Sequence, residues 1–123
     1  METYIIYALA LLLFQLWLLP MALNFQNFSW MISNRDEDLD VSSNVALMRV
    51  RKSTANLYET LPAFIALALL SIIMKVDLAS AACVWLIARV AHLVFYVIGI
   101  GLLRTASWLI SLGALIYMAC ALI

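Results

Sequence analysis

The most constraining feature of the sequence is the length of its uncharged apolar runs. Tyr4 to Leu23 carries no charge and is interrupted only by Gln15 and Pro20, and Thr105 to Ile123 likewise carries none. A bilayer core about 30 Å thick needs about 20 helical residues at 1.5 Å each. Two further runs centre on residues 61–74 and 78–102, so the expected architecture is an all-α membrane protein with four transmembrane helices. The chain is 67% hydrophobic and 11% charged, with a mean hydropathy of +1.08. A soluble domain would be about 45–50% apolar and about 25% charged, which excludes that class. Seven Lys plus Arg balance seven Asp plus Glu. No basic field is present to hold nucleic acid or an anionic membrane surface.

The first run reads as a retained helix over residues 3–23, because a secretory signal would start with positive charge and be shorter. Residues 24–44 turn to Asn, Ser and the cluster Arg35-Asp36-Glu37-Asp38-Leu39-Asp40, a composition expected for a solvated loop. The second apolar run is too short to span unless the helix reaches back to about Val45, with Ser42, Ser43 or Asn44 as its N-cap. That helix, 45–74, contains Pro62, which predicts a bend after Glu59. Lys75-Val76-Asp77 reads as a minimal hairpin, its charges suited to the helix ends on either side. A third helix is expected over 78–102, a turn at Leu103-Arg104, and a fourth helix over 105–123 with Thr105 as N-cap. The whole chain, 1–123, is expected to be one domain.

Cations set orientation in a membrane. Arg35, Arg49, Arg51, Lys52 and Arg104 fall at one side and Lys75 alone at the other, so both termini are expected on the non-cytoplasmic side. Cys83 and Cys120 have no ligand spacing and read as packing residues. No metal site is expected.

Function is concentrated in two polar stripes. At about 100° per residue, Arg49, Lys52, Asn56 and Glu59 fall at about 0°, −60°, −20° and −80°, an arc of about 80° on one side of the second helix. Arg51, at about −160°, reads as a snorkelling cation. Arg89, His92, Tyr96 and Gly99 repeat the same 3, 4, 3 spacing on the third helix. Joined by a short hairpin, the two helices bring both stripes to one depth. Charged groups there cost about 2.5–3.5 kcal/mol on insertion scales at a helix centre, and they face protein or a water-filled cavity. Glu59 could simply neutralise Arg89 or Lys52 in a buried pair. Yet Arg49, Lys52, Arg89 and Arg104 outnumber that one acid, leaving a positive excess that suits an anionic ligand. His92, one turn from Arg89 and from Tyr96, reads as a hydrogen-bonding group before a catalytic base. Arg104, beside Thr105 and Ser107, would favour the thiolate of a thiol delivered to it.

Arg49-Val-Arg-Lys52-Ser-Thr-Ala-Asn56-Leu-Tyr-Glu59-Thr-Leu-Pro62-Ala-Phe64, followed by Arg89-Val-Ala-His92-Leu-Val-Phe-Tyr96 and Arg104, resembles the MAPEG family, the membrane-associated proteins in eicosanoid and glutathione metabolism. The resemblance implies a homotrimer of four-helix subunits that binds glutathione between neighbouring subunits at the cytoplasmic side of the cell inner membrane. It implies Asn56 and Glu59 against the tripeptide's amino-terminal end and Arg49 and Lys52 against its carboxylates. Arg89, His92, Tyr96 and Thr105 would complete the binding wall, and Arg104 would stabilise the thiolate as the catalytic group. Hydrophobic small molecules, delivered by the lipid bilayer, would be the electrophiles conjugated or reduced. Ala55 stands where the eicosanoid enzymes have a further arginine, Lys52 stands where they have arginine, and Thr105 replaces a serine. Those departures resemble the simpler bacterial branch. Two other readings belong to different classes. One is a non-enzymatic membrane module that binds another anionic ligand or serves a larger complex. The other is a small multidrug exporter, which would want an acid in the first helix where this chain has only Gln15.

Overall fold

The computed structural model describes residues 1–23 and 44–123, all of whose regular elements are helical. Four helices are long and apolar enough to cross a membrane: α1 (Glu2–Leu23), α2 (Val45–Met74), α3 (Ala79–Ile98) and α4 (Gly101–Ala121). The protein is therefore a multi-pass membrane bundle in contact with lipid. The expected polar loop 24–44 lies outside the described residues apart from Asn44.

Local chemistry fixes where each helix starts and stops. Asn44 caps α2, its Oδ1 accepting from the Leu47 N–H at 3.1 Å while its Nδ2 donates to Leu23 O at 3.0 Å. One side chain thus satisfies an N-terminal donor of α2 and ties it to the end of α1. At 30 residues, α2 is about 45 Å long and exceeds the hydrocarbon thickness. It runs unbroken through Pro62, whose missing N–H leaves the Tyr58 carbonyl without its intrahelical donor. Lys75 ends α2 in the left-handed conformation at φ 57°, and Val76 N–H closes back on Ser71 O at 2.9 Å. Asp77 Oδ1 then accepts from Ala79 N–H at 3.0 Å at the start of α3.

The turn between α3 and α4 differs from the sequence expectation. The expected helices 78–102 and 105–123, with a turn at Leu103-Arg104, give way to a break four residues earlier. Gly99, at φ 84°, ends α3, with the N–H groups of Gly99 and Ile100 both bonded to Phe95 O at 3.0 Å. A residue without Cβ takes this conformation freely, so the first glycine stops the helix. Arg104 consequently lies in the first turns of α4, its N–H bonded to Ile100 O. Thr105 is not an N-cap, because its hydroxyl donates to Gly101 O within α4.

An apolar core joins all four helices through Ala8, Leu57, Phe64, Ala82, Trp85 and Met118. Phe64 and Trp85 stack with ring centroids 4.0 Å apart, a contact worth about 0.5–1.5 kcal/mol beyond the area it covers. Buried alanines and serines let the helices approach closely. The hydroxyls of Ser71, Ser107 and Ser111 turn back onto carbonyls of their own helices at 2.7–2.9 Å, which hydrocarbon requires. The polar groups collect instead around the first half of α2, the second half of α3 and the start of α4.

Candidate functional site

Arg89 is fully buried at 0% exposure. Its Nη1 donates to Asn56 Oδ1 at 2.8 Å across the α2–α3 contact, while Nε and Nη2 are buried without a partner. Among the described residues no carboxylate forms an ion pair with it. The ion pair found among the described residues joins the amino terminus to Glu2 at 3.3 Å, far along the chain from the stripe. Glu59 and Lys52 are exposed on the surface of α2, so the neutralising pair that the sequence allowed does not form among the described residues.

One turn further along α3, His92 is 3% exposed and its Nδ1 is hydrogen-bonded to Ser53 Oγ at 3.2 Å. Its ring also meets Tyr96, with centroids 5.5 Å apart and planes at 65°. The Arg104 guanidinium lies 4.8 Å from the Tyr96 ring centroid, a cation–π contact that anchors it. The early turn at Gly99 makes this contact possible by starting α4 soon enough to place Arg104 beside the last turns of α3. Arg49 reaches the same end of the bundle, where its Nη1 donates to Val97 O at 3.0 Å. A cation on the last carbonyls of α3 satisfies an acceptor and opposes the helix dipole.

Asn56, His92, Tyr96, Arg104, Thr105 and Trp108 line an open cavity of about 230 Å³. Its walls offer guanidinium, imidazole, phenol, amide, hydroxyl and indole groups and, among the described residues, no carboxylate. Arg89 stands behind Asn56 as a second, buried positive charge. Such a donor-rich, electropositive space favours oxygen-bearing anions and developing negative charge. Among the described residues no group of His, Cys, Asp and Glu could hold a metal ion.

The fold thus gathers Asn56, His92, Tyr96, Arg104 and Thr105 around one cavity, with Arg89 directly behind it. It places Arg49 on the α3 terminus, and it leaves Lys52 and Glu59 on the outer face. Ser53 and Trp108 belong to the site although the stripe reading passed over both. Their positions carried a signal: Ser53 lies three residues before Asn56, and Trp108 lies one turn beyond Arg104, on the same face.

No curated protein and no solved structure gives a significant match to the chain. The model of the MAPEG family matches residues 4–123, a range that takes in both polar stripes, the cavity and essentially all of the four helices. With that coverage, the chain belongs to the MAPEG family, the membrane proteins of eicosanoid and glutathione metabolism.

Proposed function

We propose that the protein binds glutathione within the membrane and acts as a glutathione transferase or peroxidase on hydrophobic electrophiles. The observation that carries this reading is the uncompensated positive charge around the cavity: Arg104 in its wall, Arg89 buried behind Asn56 with two nitrogens lacking partners. An acidic tripeptide suits these donors. When bound, glutathione would supply a thiol nucleophile. Arg104 would hold the thiolate form by its positive charge, Asn56, His92, Tyr96 and Thr105 would orient the peptide, and the surrounding helices would keep bulk water from the apolar substrate.

Lys52 and Glu59 extend the reading beyond one subunit. Charged side chains on the outer face of a spanning helix need protein or water beside them, and a second copy of the chain would provide it. This supports a homotrimer in which Lys52 and Glu59 of one subunit face a cleft shared with the next. The cation distribution supports an inner-membrane orientation with both termini outside the cytoplasm and the cavity open to it.

The test is turnover of a lipophilic chloronitrobenzene by the purified full chain with glutathione, with ultraviolet absorbance reporting bound thiolate. Arg104→Ala should abolish the thiolate signal and reduce turnover by at least tenfold while glutathione still binds. Equal signals in both proteins would remove Arg104 from the chemistry.

A second reading rests on the cavity's size. About 230 Å³ falls below the usual ligand-pocket range of about 300–1,000 Å³, and it suits a smaller anion held by a non-enzymatic module. Saturable binding of a small dicarboxylate in preference to glutathione, with no turnover of any electrophile, would favour it.

A further inference from the structure

A second cavity, of about 310 Å³, lies between α1 and α2 and shares no lining residue with the first. Gln15, Leu16 and Pro20 form its α1 wall, and Arg51, Ala55 and Tyr58 line it from α2. On the α2 wheel Arg51, Ala55 and Tyr58 fall at about −160°, −120° and 180°, opposite Asn56 at about −20°. The two cavities therefore occupy opposite faces of one helix.

Gln15 sets this cavity apart from a packing gap. It is the one strongly polar side chain within the apolar run of α1, and it is 1% exposed. Its Nε2 is buried without a hydrogen-bond partner. Thr54 Oγ1 approaches Gln15 O at 3.3 Å and Gln15 Oε1 at 3.4 Å, but its nearest acceptor is Val50 O in its own helix at 2.9 Å. Thr54 therefore gives Gln15 only weak contacts. An unpaired buried amide donor costs about 1–3 kcal/mol, and more in surroundings where no water can reach it. The backbone around it is also irregular. Phe14–Leu18 forms a π-helical turn, in which Leu19 N–H reaches back to Phe14 O, and such turns occur frequently at functional sites.

We infer that the α1–α2 cavity binds the headgroup of a membrane amphiphile, an acyl chain bearing an anionic oxygen group. The cavity's free groups define that chemistry. Gln15 Nε2 and the Arg51 guanidinium are both donors, so the ligand must bring acceptors, and Arg51 favours a negative charge. Leu16, Pro20 and Ala55 give the start of the chain an apolar wall, and Ala55 leaves room that a larger residue would fill. Acyl carboxylates and phosphodiester lipids share the required chemistry. The site is independent of the anion cavity and of the glutathione reading.

The experiment uses the delipidated full chain in a neutral detergent. Binding of oleate and of dioleoyl phosphatidylglycerol is titrated by native mass spectrometry, and Tm is read with and without each probe. The wild-type chain should bind at least one probe saturably, with one equivalent per chain and a rise in Tm. Oleate alone identifies an acyl carboxylate ligand; phosphatidylglycerol alone identifies a phospholipid. Gln15→Leu should weaken that binding about tenfold, the effect of one hydrogen bond to a charged group, yet raise Tm without ligand because it removes an unpaired donor. Ala55→Leu should block the cavity and Arg51→Gln should weaken binding, and Arg51→Gln should leave glutathione binding as in wild type. Absence of saturable binding to either probe would overturn the inference. So would binding that Gln15→Leu and Ala55→Leu leave unchanged, or a Gln15→Leu protein that is less stable than wild type without ligand.

Discussion

Arg89→Met and Asn56→Leu should move stability in opposite directions although they remove the two ends of one hydrogen bond. Arg89 is wholly buried, with one bond to Asn56 at 2.8 Å and two nitrogens unpartnered. Methionine fills much of the same space without charge. The bond to Asn56 is worth about 1.5–3 kcal/mol, while each unpaired buried donor costs about 1–3 kcal/mol. Replacing a buried ionic group by an apolar one of similar volume is often neutral or stabilising by about 1–4 kcal/mol, and with two orphaned nitrogens Arg89→Met belongs at the stabilised end. Asn56→Leu instead takes the only partner from a buried charge, a loss of about 3–5 kcal/mol. The double variant should lie near Arg89→Met, since leucine at position 56 no longer deprives a charge of its partner. Chemical denaturation of the four proteins in one detergent, with glutathione titrated against each, reads both quantities. All three variants should bind glutathione more weakly, so Arg89→Met gains stability while losing affinity. If Arg89→Met is destabilised as much as Asn56→Leu, the guanidinium is fully satisfied in the native protein and the reasoning fails.

Three smaller predictions follow from the turns and the histidine. Gly99 sits at φ 84°, and a Cβ there would lie 2.9 Å from Arg49 Nη1, so Gly99→Ala should cost at least about 1–2 kcal/mol from the backbone alone; Arg49→Ala in the same chain should recover the steric part, giving a non-additive cycle in Tm. Lys75 holds a left-handed conformation at φ 57° in an exposed hairpin, so Lys75→Gly should stabilise by about 1 kcal/mol, measured by denaturation in detergent; a loss of stability would contradict that reading of the turn. Ser53→Ala removes the hydrogen-bond partner of His92 Nδ1 and should cost about 1 kcal/mol, with a change in the histidine ring resonances seen by NMR; unchanged resonances would separate Ser53 from the site.

Much of the membrane architecture is legible in the sequence because hydrocarbon imposes a one-dimensional rule, the length of an uncharged run, that needs no tertiary information. The site is only partly legible. The helical wheel puts Arg49, Lys52, Asn56 and Glu59 on one arc, but it does not say where along that arc the neighbouring helix lies. With Asn56 at about −20° on Arg89 and Ser53 at about +40° on His92, the contact is centred near +10°. Glu59, at about −80°, and Lys52, at about −60°, therefore lie on the flank of that contact and not in it. Charge balance alone would pair Glu59 with Arg89, whereas geometry gives Arg89 an amide. The α3–α4 boundary lies four residues before the expected one because two glycines compete to end the helix, and only the backbone shows that Gly99 takes the left-handed position. Gln15 looked like an isolated interruption of α1. Hydropathy averages over its neighbours and carries no trace of the π turn that accompanies its burial.

The proposed function requires an acidic thiol peptide to bind at the cationic cavity of the bundle. Calorimetric titration of the detergent-solubilised full chain with glutathione and with its dimethyl ester tests it most directly. Glutathione should bind saturably at millimolar concentrations and the ester at least tenfold more weakly, with a smaller difference between the two ligands in Arg89→Met. Equal affinity for both ligands, or no saturable binding of either, would contradict it.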